Sequence, residues 1–372
     1  MKRQPLKRFR AAPKKGPGPF FCRNKRVQDP FFQRAAFTLV ELLTAVGILA
    51  LVLSFAGIIF KVSIGANRMA SANAENMRKL RAITEQLNTD FRGIRRDAAM
   101  LILFERDPDQ PARRFDRIMF FADGDFQSAQ MYDDARPNEA SDRYLSGNAA
   151  RIHYGQAATA DVNDPVNTPP ADGLLSRRQH ILAAEAGLDR WPDANDMAGS
   201  FTTLAANNEI YEHDNMTLAQ WKAVDANDYR YVTAACLNAP PVVDPADPNT
   251  IHKLMCEGVG SFSIQWAYWD DPGGGTEKKL MWFPNDDPDG DGDTADSHFA
   301  INGANAFGVF FNLPGLIGFG DWGGAGRLQH RGGGNFAASF YPKALKFTFR
   351  LYDSKGVLEG GRRFTHIVYL ER

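Results

Sequence analysis

Residues 35–61 read "AAFTLVELLTAVGILALVLSFAGIIFK": from Phe37 to Phe60 the run is almost wholly apolar, Lys61 closes it, and Glu41 is the acid inside it. At 1.5 Å per residue the run makes a helix about 36 Å long, enough to cross a bilayer with some tilt. It contains no proline, and Gly47 and Gly57 are tolerable in lipid. An ionised carboxylate at bilayer depth costs roughly 2.5–3.5 kcal/mol, less near the interface, so Glu41 needs a partner or a purpose.

The flanks of this run differ in charge. Residues 1–36 hold eleven Lys or Arg against one acid, Asp29, a net of +10; the whole chain is −1, so residues 37–372 sum to −11. A basic head, a hydrophobic span and an acidic body predict a single-pass protein with its N-terminus in the cytoplasm and its body exported. The acidic body argues against nucleic-acid binding, which depends on clustered Lys and Arg. The head, with "PKKGPGP" in it, has the composition of a disordered segment.

Beyond Lys61 the pattern becomes amphipathic. Met77, Leu80, Ile83 or Thr84, Leu87, Phe91, Ile94, Ala98 and Leu101 recur at spacings of three and four, with Arg78, Lys79, Arg81, Glu85, Asp90, Arg92 and Arg96 between them. This predicts one helix over 37–104, its later part lying against a globular domain, with a stop near "ERDPDQP". The division expected is therefore a leader over 1–36, a transmembrane helix over 37–60, an amphipathic extension over 61–104, and an exported domain over 105–372.

The exported part reads as α+β, a long helix packed on antiparallel sheet with long loop insertions. "FDRIMFFADG" and "ARIHYGQ" predict strands separated by the loop "DDARPNEASD". "HKLMCEGVGSFSIQWAYWD" predicts a helix end or turn and then a strand alternating Phe262, Ile264, Trp266 and Tyr268. "YPKALKFTFRLYDSKGVLEGGRRFTHIVYL" predicts a closing hairpin. Residues 155–250 predict long loops with short helices at "GLLSRRQHILAAEAG" and "TLAQWKAVDA", and the Gly-rich stretch 302–334 predicts another loop.

The motif "RAAFTLVELL" resembles the start of type IV pilin-like subunits: a basic leader, a cleavage site, then Phe-Thr-Leu-(Ile/Val)-Glu and an apolar helix. Phe37, Thr38, Leu39, Val40 and Glu41 match it position by position. The resemblance implies cleavage between Ala36 and Phe37 by a prepilin peptidase, N-methylation of Phe37, and a place in a filament for the helix. Glu41, fifth in the mature chain, is then expected to meet the α-amine of a neighbouring subunit. Two features depart from the family: Ala36 stands where Gly is usual, and the leader is long.

The overall plan is similar to that of minor pseudopilins of type II secretion, in particular the J-type. That similarity rests on "RAITEQLNTDFRGI", "DRIMFF", on Leu254, Glu257, Gly258 and Val259 before a strand, and on Pro342 to Thr348 opening another. It implies other pilin or pseudopilin subunits and the bacterial inner membrane as partners, with the body periplasmic or extracellular in a filament. The insertions at 155–250 and 285–335 exceed that plan.

The stretch "NDDPDGDGDTADSH" sets Asp287, Asp289 and Asp291 in alternation, with Gly292 at a turn and Asp293 and Asp296 after it. This matches the first half of an EF-hand calcium loop, but His298 stands where the bidentate Glu belongs. A structural Ca²⁺ site and a solvated acidic loop both stay open. Cys236 and Cys256, if exported, could close a loop worth about 3 kcal/mol, or stand as two buried thiols; Cys22 lies in the head.

The seven histidines are dispersed, and no H-E-x-x-H, G-x-S-x-G or P-loop occurs. The expectation is a protein that is a substrate of the peptidase and not an enzyme. Trp266, Tyr268, Trp269 and Trp282 fit either a carbohydrate-binding face or alternating burial on a sheet. Two further readings remain at this point: an adhesive pilus component, and a receptor or enzyme that uses the apolar run only as a tether.

Overall fold

The computed structural model describes residues 38–106, 113–132, 143–159, 173–182, 212–214, 216–223, 241–244, 248–270, 279–285, 306–312 and 341–370. The chain divides into two units, Met1–Val62 and Ser63–Arg372. A single helix, α1, Leu39–Arg92, contributes to both.

In the first unit α1 is bare among the described residues. Every large apolar side chain from Leu39 to Val62 is at least 56% exposed. Removing such a side chain from water is worth about 1.5–3 kcal/mol, so a run of this length gains much from an apolar surrounding. Among the described residues, α1 is long and apolar enough to cross a membrane.

In the second unit the later part of α1 is amphipathic, as its periodicity predicts. Ala72, Asn76, Ile83, Leu87, Asp90 and Phe91 are buried, three and four residues apart or at multiples of that spacing. Met77, expected on the buried stripe, is 52% exposed, because Ala72 and Asn76 take the inner face in its place.

The helix ends at Arg92 and does not reach 104. Gly93 explains the stop. A Cβ there would lie 1.9 Å from Asp123 O, a close approach that only glycine allows. The chain then bonds sideways: Asp123 N–H donates to Gly93 O at 2.8 Å and Arg95 N–H donates to Phe121 O at 2.8 Å. The following apolar run becomes strand β1, Met100–Glu105. Met100 through Phe104 are all buried, as befits an inner strand covered on both faces.

The strands that follow are β2 (Arg117–Tyr132), β3 (Arg143–Thr159), β4 (Leu174–Leu182), β5 (His213–Asp214), β6 (Val242–Val243), β7 (Leu254–Glu257), β8 (Val259–Asp270), β9 (Lys279–Phe283), β10 (Ala306–Phe311), β11 (Ala344–Leu351) and β12 (Arg362–Tyr369). Two short helices, α2 (Leu218–Ala223) and α3 (Pro248–Ile251), lie among them. The first sheet runs β10-β1-β2-β3-β4-β5, with β6 beside β3 and β7 beside β4; the second runs β12-β11-β8-β9. Pairing is antiparallel except for the two-residue contacts β4–β5 and β3–β6.

Two expectations change here. "LLSRRQHIL" is strand β4, not a helix, because alternate residues serve opposite faces: Leu175 and Ile181 enter the core while Ser176, Arg178 and His180 are buried on the other side. Within the expected Gly-rich loop, Ala306–Phe311 pairs with β1 from Phe311↔Met100 to Ala306↔Glu105. The helix expected in "TLAQWKAVDA" is α2, and its Trp221 is buried.

Gly258 makes the corner between the sheets. Its φ of 73° lies in the left-handed region, and it separates β7 in the first sheet from β8 in the second. Phe91 on α1 joins both sheets to one core: its ring stacks on Phe120 of β2 at 4.3 Å and meets Phe347 of β11 at 5.4 Å.

Candidate functional site

The residues that the motif singles out lie at the start of α1. Glu41 Oε2 accepts hydrogen bonds from Thr38 N–H at 2.9 Å and from the Thr38 hydroxyl at 3.1 Å, and Glu41 N–H donates to Thr38 Oγ1 at 3.2 Å. This is a capping box, Thr-x-x-Glu, in which two otherwise orphaned donors at a helix start are satisfied reciprocally. Phe-Thr-Leu-Val-Glu therefore contains a helix-start signal of its own, which the spacing of Thr38 and Glu41 carries and the family resemblance obscured. The box satisfies hydrogen bonds without neutralising the charge. Ala36 and Phe37 lie outside the described residues.

Further along, three contacts tie α1 to the sheets. Lys79 pairs with Glu75 at 2.9 Å and donates to Tyr352 O at 2.8 Å, while Glu75 accepts from Ser354 N–H at 2.9 Å. These bonds hold the turn that follows β11. Asn88 Oδ1 lies 2.9 Å from His366 Nε2 on β12.

The third contact is the most buried. Asp90, placed by its spacing on the polar face, is only 4% exposed. It receives Arg177 of β4 in a two-pronged ion pair, at 2.7 and 2.9 Å, together with the Tyr154 hydroxyl of β3 and Gln86 Nε2 at 3.1 Å. Burial, then the Asp90 charge, pushes the Tyr154 hydroxyl well above its usual range, so it stays a donor. The alternation of "ARIHYGQ" puts Tyr154 on the inner face, but nothing in the sequence alone pairs it with a residue sixty-four positions earlier.

The opposite face of the first sheet is polar and buried. Arg151 forms a two-pronged pair with Asp214 at 2.8 and 2.9 Å, and Arg178 and His153 lie on the same side. His153 is 1% exposed, and among the described residues neither ring nitrogen has a hydrogen-bond partner. Burial and then the charges of Arg178, Arg117 and Arg151 hold its pKa well below the ordinary value, so the ring is neutral. The signal for this face was present as the alternation Arg151, His153 against Ile152, Tyr154.

The other candidates fare unevenly. Asp287, Asp289, Asp291, Asp293 and Asp296 lie outside the described residues, as does Cys236. Cys256 is a free thiol, buried, and burial pushes its pKa up to about 11. Trp266 is 1% exposed and packs against Tyr268, Phe283 and Phe311, which makes it core and removes it from any exposed aromatic face. Trp282 lies under the Lys346 ammonium, 4.5 Å from its ring centre. His252 and Glu212 form a close pair, and Glu212 also accepts from Ala129 and Gln130 N–H at 2.9 and 3.0 Å, which ties it to β2. Among the described residues no group of three or more His, Cys, Asp or Glu is arranged to hold a metal ion.

Comparison with family models, with curated proteins and with solved structures finds no match.

Proposed function

We propose that the chain is a prepilin-type subunit, cut after Ala36, methylated on Phe37 and assembled through α1 into a type II secretion pseudopilus or a type IV pilus-like filament, as a minor subunit. The observation that carries this reading is the run Phe37–Glu41 at the head of a helix that is bare over its first part and clasped to a two-sheet body over its later part. The basic leader then orients the chain and is discarded. The acidic body faces the periplasm or the exterior, and the work of the protein is mechanical, with no catalytic step of its own. Calcium at Asp287–Asp296 is part of this reading as a means of pinning the insertions, while Cys256, a free buried thiol, takes no part in it.

The capping box sharpens what Glu41 must do. Cleavage after Ala36 leaves the Thr38 N–H and hydroxyl in place, so the box persists in the mature chain. What remains uncompensated is a negative charge in an apolar surrounding, and the new α-amine of a neighbouring subunit is a partner of opposite sign. Glutamine is accepted at this position of a capping box but carries no charge. Glu41→Gln therefore separates the two roles. The expected outcome is normal membrane insertion with loss of cross-linking to neighbouring subunits, whereas Glu41→Ala disturbs the helix start as well. Full incorporation of Glu41→Gln would remove the role assigned to the charge.

A further inference from the structure

Strand β12 ends the second sheet, and among the described residues no strand lies beyond it. Leu370 N–H donates to Lys343 O at 2.9 Å, and the register continues from Ala344↔Tyr369 to Leu351↔Arg362. In an antiparallel pair every second residue bonds across. Val368, His366 and Phe364 therefore bond to β11, while the N–H and C=O groups of Tyr369, Ile367, Thr365 and Arg363 point away from the sheet. Natural proteins usually blunt such an edge, since it is a template for another strand.

Two open grooves, about 500 and 570 Å³, lie between this strand and the later part of α1. One is lined by Arg92, Arg96, Ile367 and Tyr369 among others, and the second by Met77, Arg78, Arg81 and Thr365. Among the described residues no Asp or Glu lines either groove. Arg81 is paired with Glu85 at 2.7 Å, but Arg78, Arg92, Arg96 and Arg363 are exposed and form no ion pair among the described residues. Against a body that sums to −11, this is a local concentration of positive charge. Tyr369, 70% exposed, and Ile367, 38% exposed, add an apolar strip beside it.

We propose that β12 and its two grooves form a docking surface for an extended acidic segment of a partner polypeptide, added to the second sheet as a further strand. The partner's backbone would pair with Tyr369, Ile367, Thr365 and Arg363. Its carboxylates would meet Arg78, Arg92 and Arg96, and an apolar residue would cover Ile367 and Tyr369. A row of outward donors and acceptors at strand spacing matches a peptide backbone and not a lipid headgroup. The proposal does not rest on the filament reading.

The test uses the full chain in non-ionic detergent and a fluorescent peptide of repeating Thr-Glu-Val-Glu, with a Thr-Lys-Val-Lys peptide for comparison, read by anisotropy. The acidic peptide is expected to bind with an affinity that falls as salt rises, about tenfold or more tighter than the basic one. Reversing Arg92 and Arg96 to Glu should weaken it by about tenfold or more. Ile367→Pro removes an outward N–H without touching a bond to β11, so it should weaken binding while circular dichroism stays unchanged. If that variant fails to fold, an acidic peptide N-methylated at alternate residues gives the same information and should bind about tenfold more weakly. Equal binding of the two peptides, no acidic-peptide binding at millimolar concentration, or binding indifferent to backbone methylation would overturn the proposal. So would a preference for anionic lipid vesicles that the Arg92 and Arg96 reversal abolishes and Ile367→Pro leaves intact.

Discussion

His153 sits on the polar, buried face of the first sheet, 1% exposed. It is neutral beside Arg117, Arg151 and Arg178, and among the described residues neither ring nitrogen has a hydrogen-bond partner. Its folded pKa lies well below that of the unfolded chain, so the two states bind the same number of protons only well above the ordinary histidine value of about 6.5. Below that, the unfolded chain takes up a proton that the folded chain refuses, and stability falls by about 1.4 kcal/mol per pH unit. Other groups titrate in the same window, so the comparison is with His153→Gln. The difference in unfolding free energy between the two proteins should shrink or grow by about 1 kcal/mol between pH 6.5 and 5.5, in the sense that the variant loses less on acidification. Parallel pH profiles would mean that the imidazole is accessible to protons in the folded state. At the same scale, Glu41 was legible as an acid out of place, while its capping bond to Thr38 needed the helix start to be seen.

At the scale of elements, α1 was legible over most of its length because an apolar run and a three-four periodicity each leave a strong signature. Its end was not. Ile94, Ala98 and Leu101 extend the same spacing by chance, and a fully buried strand such as Met100–Glu105 cannot be told from a buried helix by periodicity. What ends the helix is the approach of the Asp123 backbone to Gly93, a contact set by β2. β4 is illegible in the sequence for a related reason: with polar residues buried on one of its faces, "LLSRRQHIL" does not alternate apolar with polar. The Asp90–Arg177 pair joins these two elements, with Asp90 2% exposed and Arg177 18% exposed in their side chains. Asp90→Ala leaves Arg177 and Tyr154 without their shared acceptor, so we expect a loss of about 3–5 kcal/mol in denaturant unfolding. Arg177→Ala, which strands the acid, should cost a similar amount, and the double variant should cost less than the sum. A loss below about 1 kcal/mol for Asp90→Ala would assign the clasp to the surface class of ion pairs.

At the scale of the whole molecule, a basic head, an apolar run and an acidic body were readable from the order of charges alone, and the α+β class followed from a helical pattern succeeded by strand patterns. The division of the strands into two sheets was not readable, since it depends on Gly258 turning the chain between β7 and β8 and on Phe91 packing against both sheets. The fate of the first 36 residues decides between a prepilin-type subunit and a merely tethered protein. If the chain is a prepilin-type subunit, the bond after Ala36 is cut, which creates the charged α-amine that Glu41 awaits, and methylation of that amine on Phe37 leaves its charge in place. The direct measurement is the mass of the N-terminal peptide of the protein isolated from membranes of a cell that carries the processing peptidase. A peptide beginning with N-methylated Phe37 is expected; an intact chain beginning at Met1 or Lys2 would contradict the prepilin-type reading.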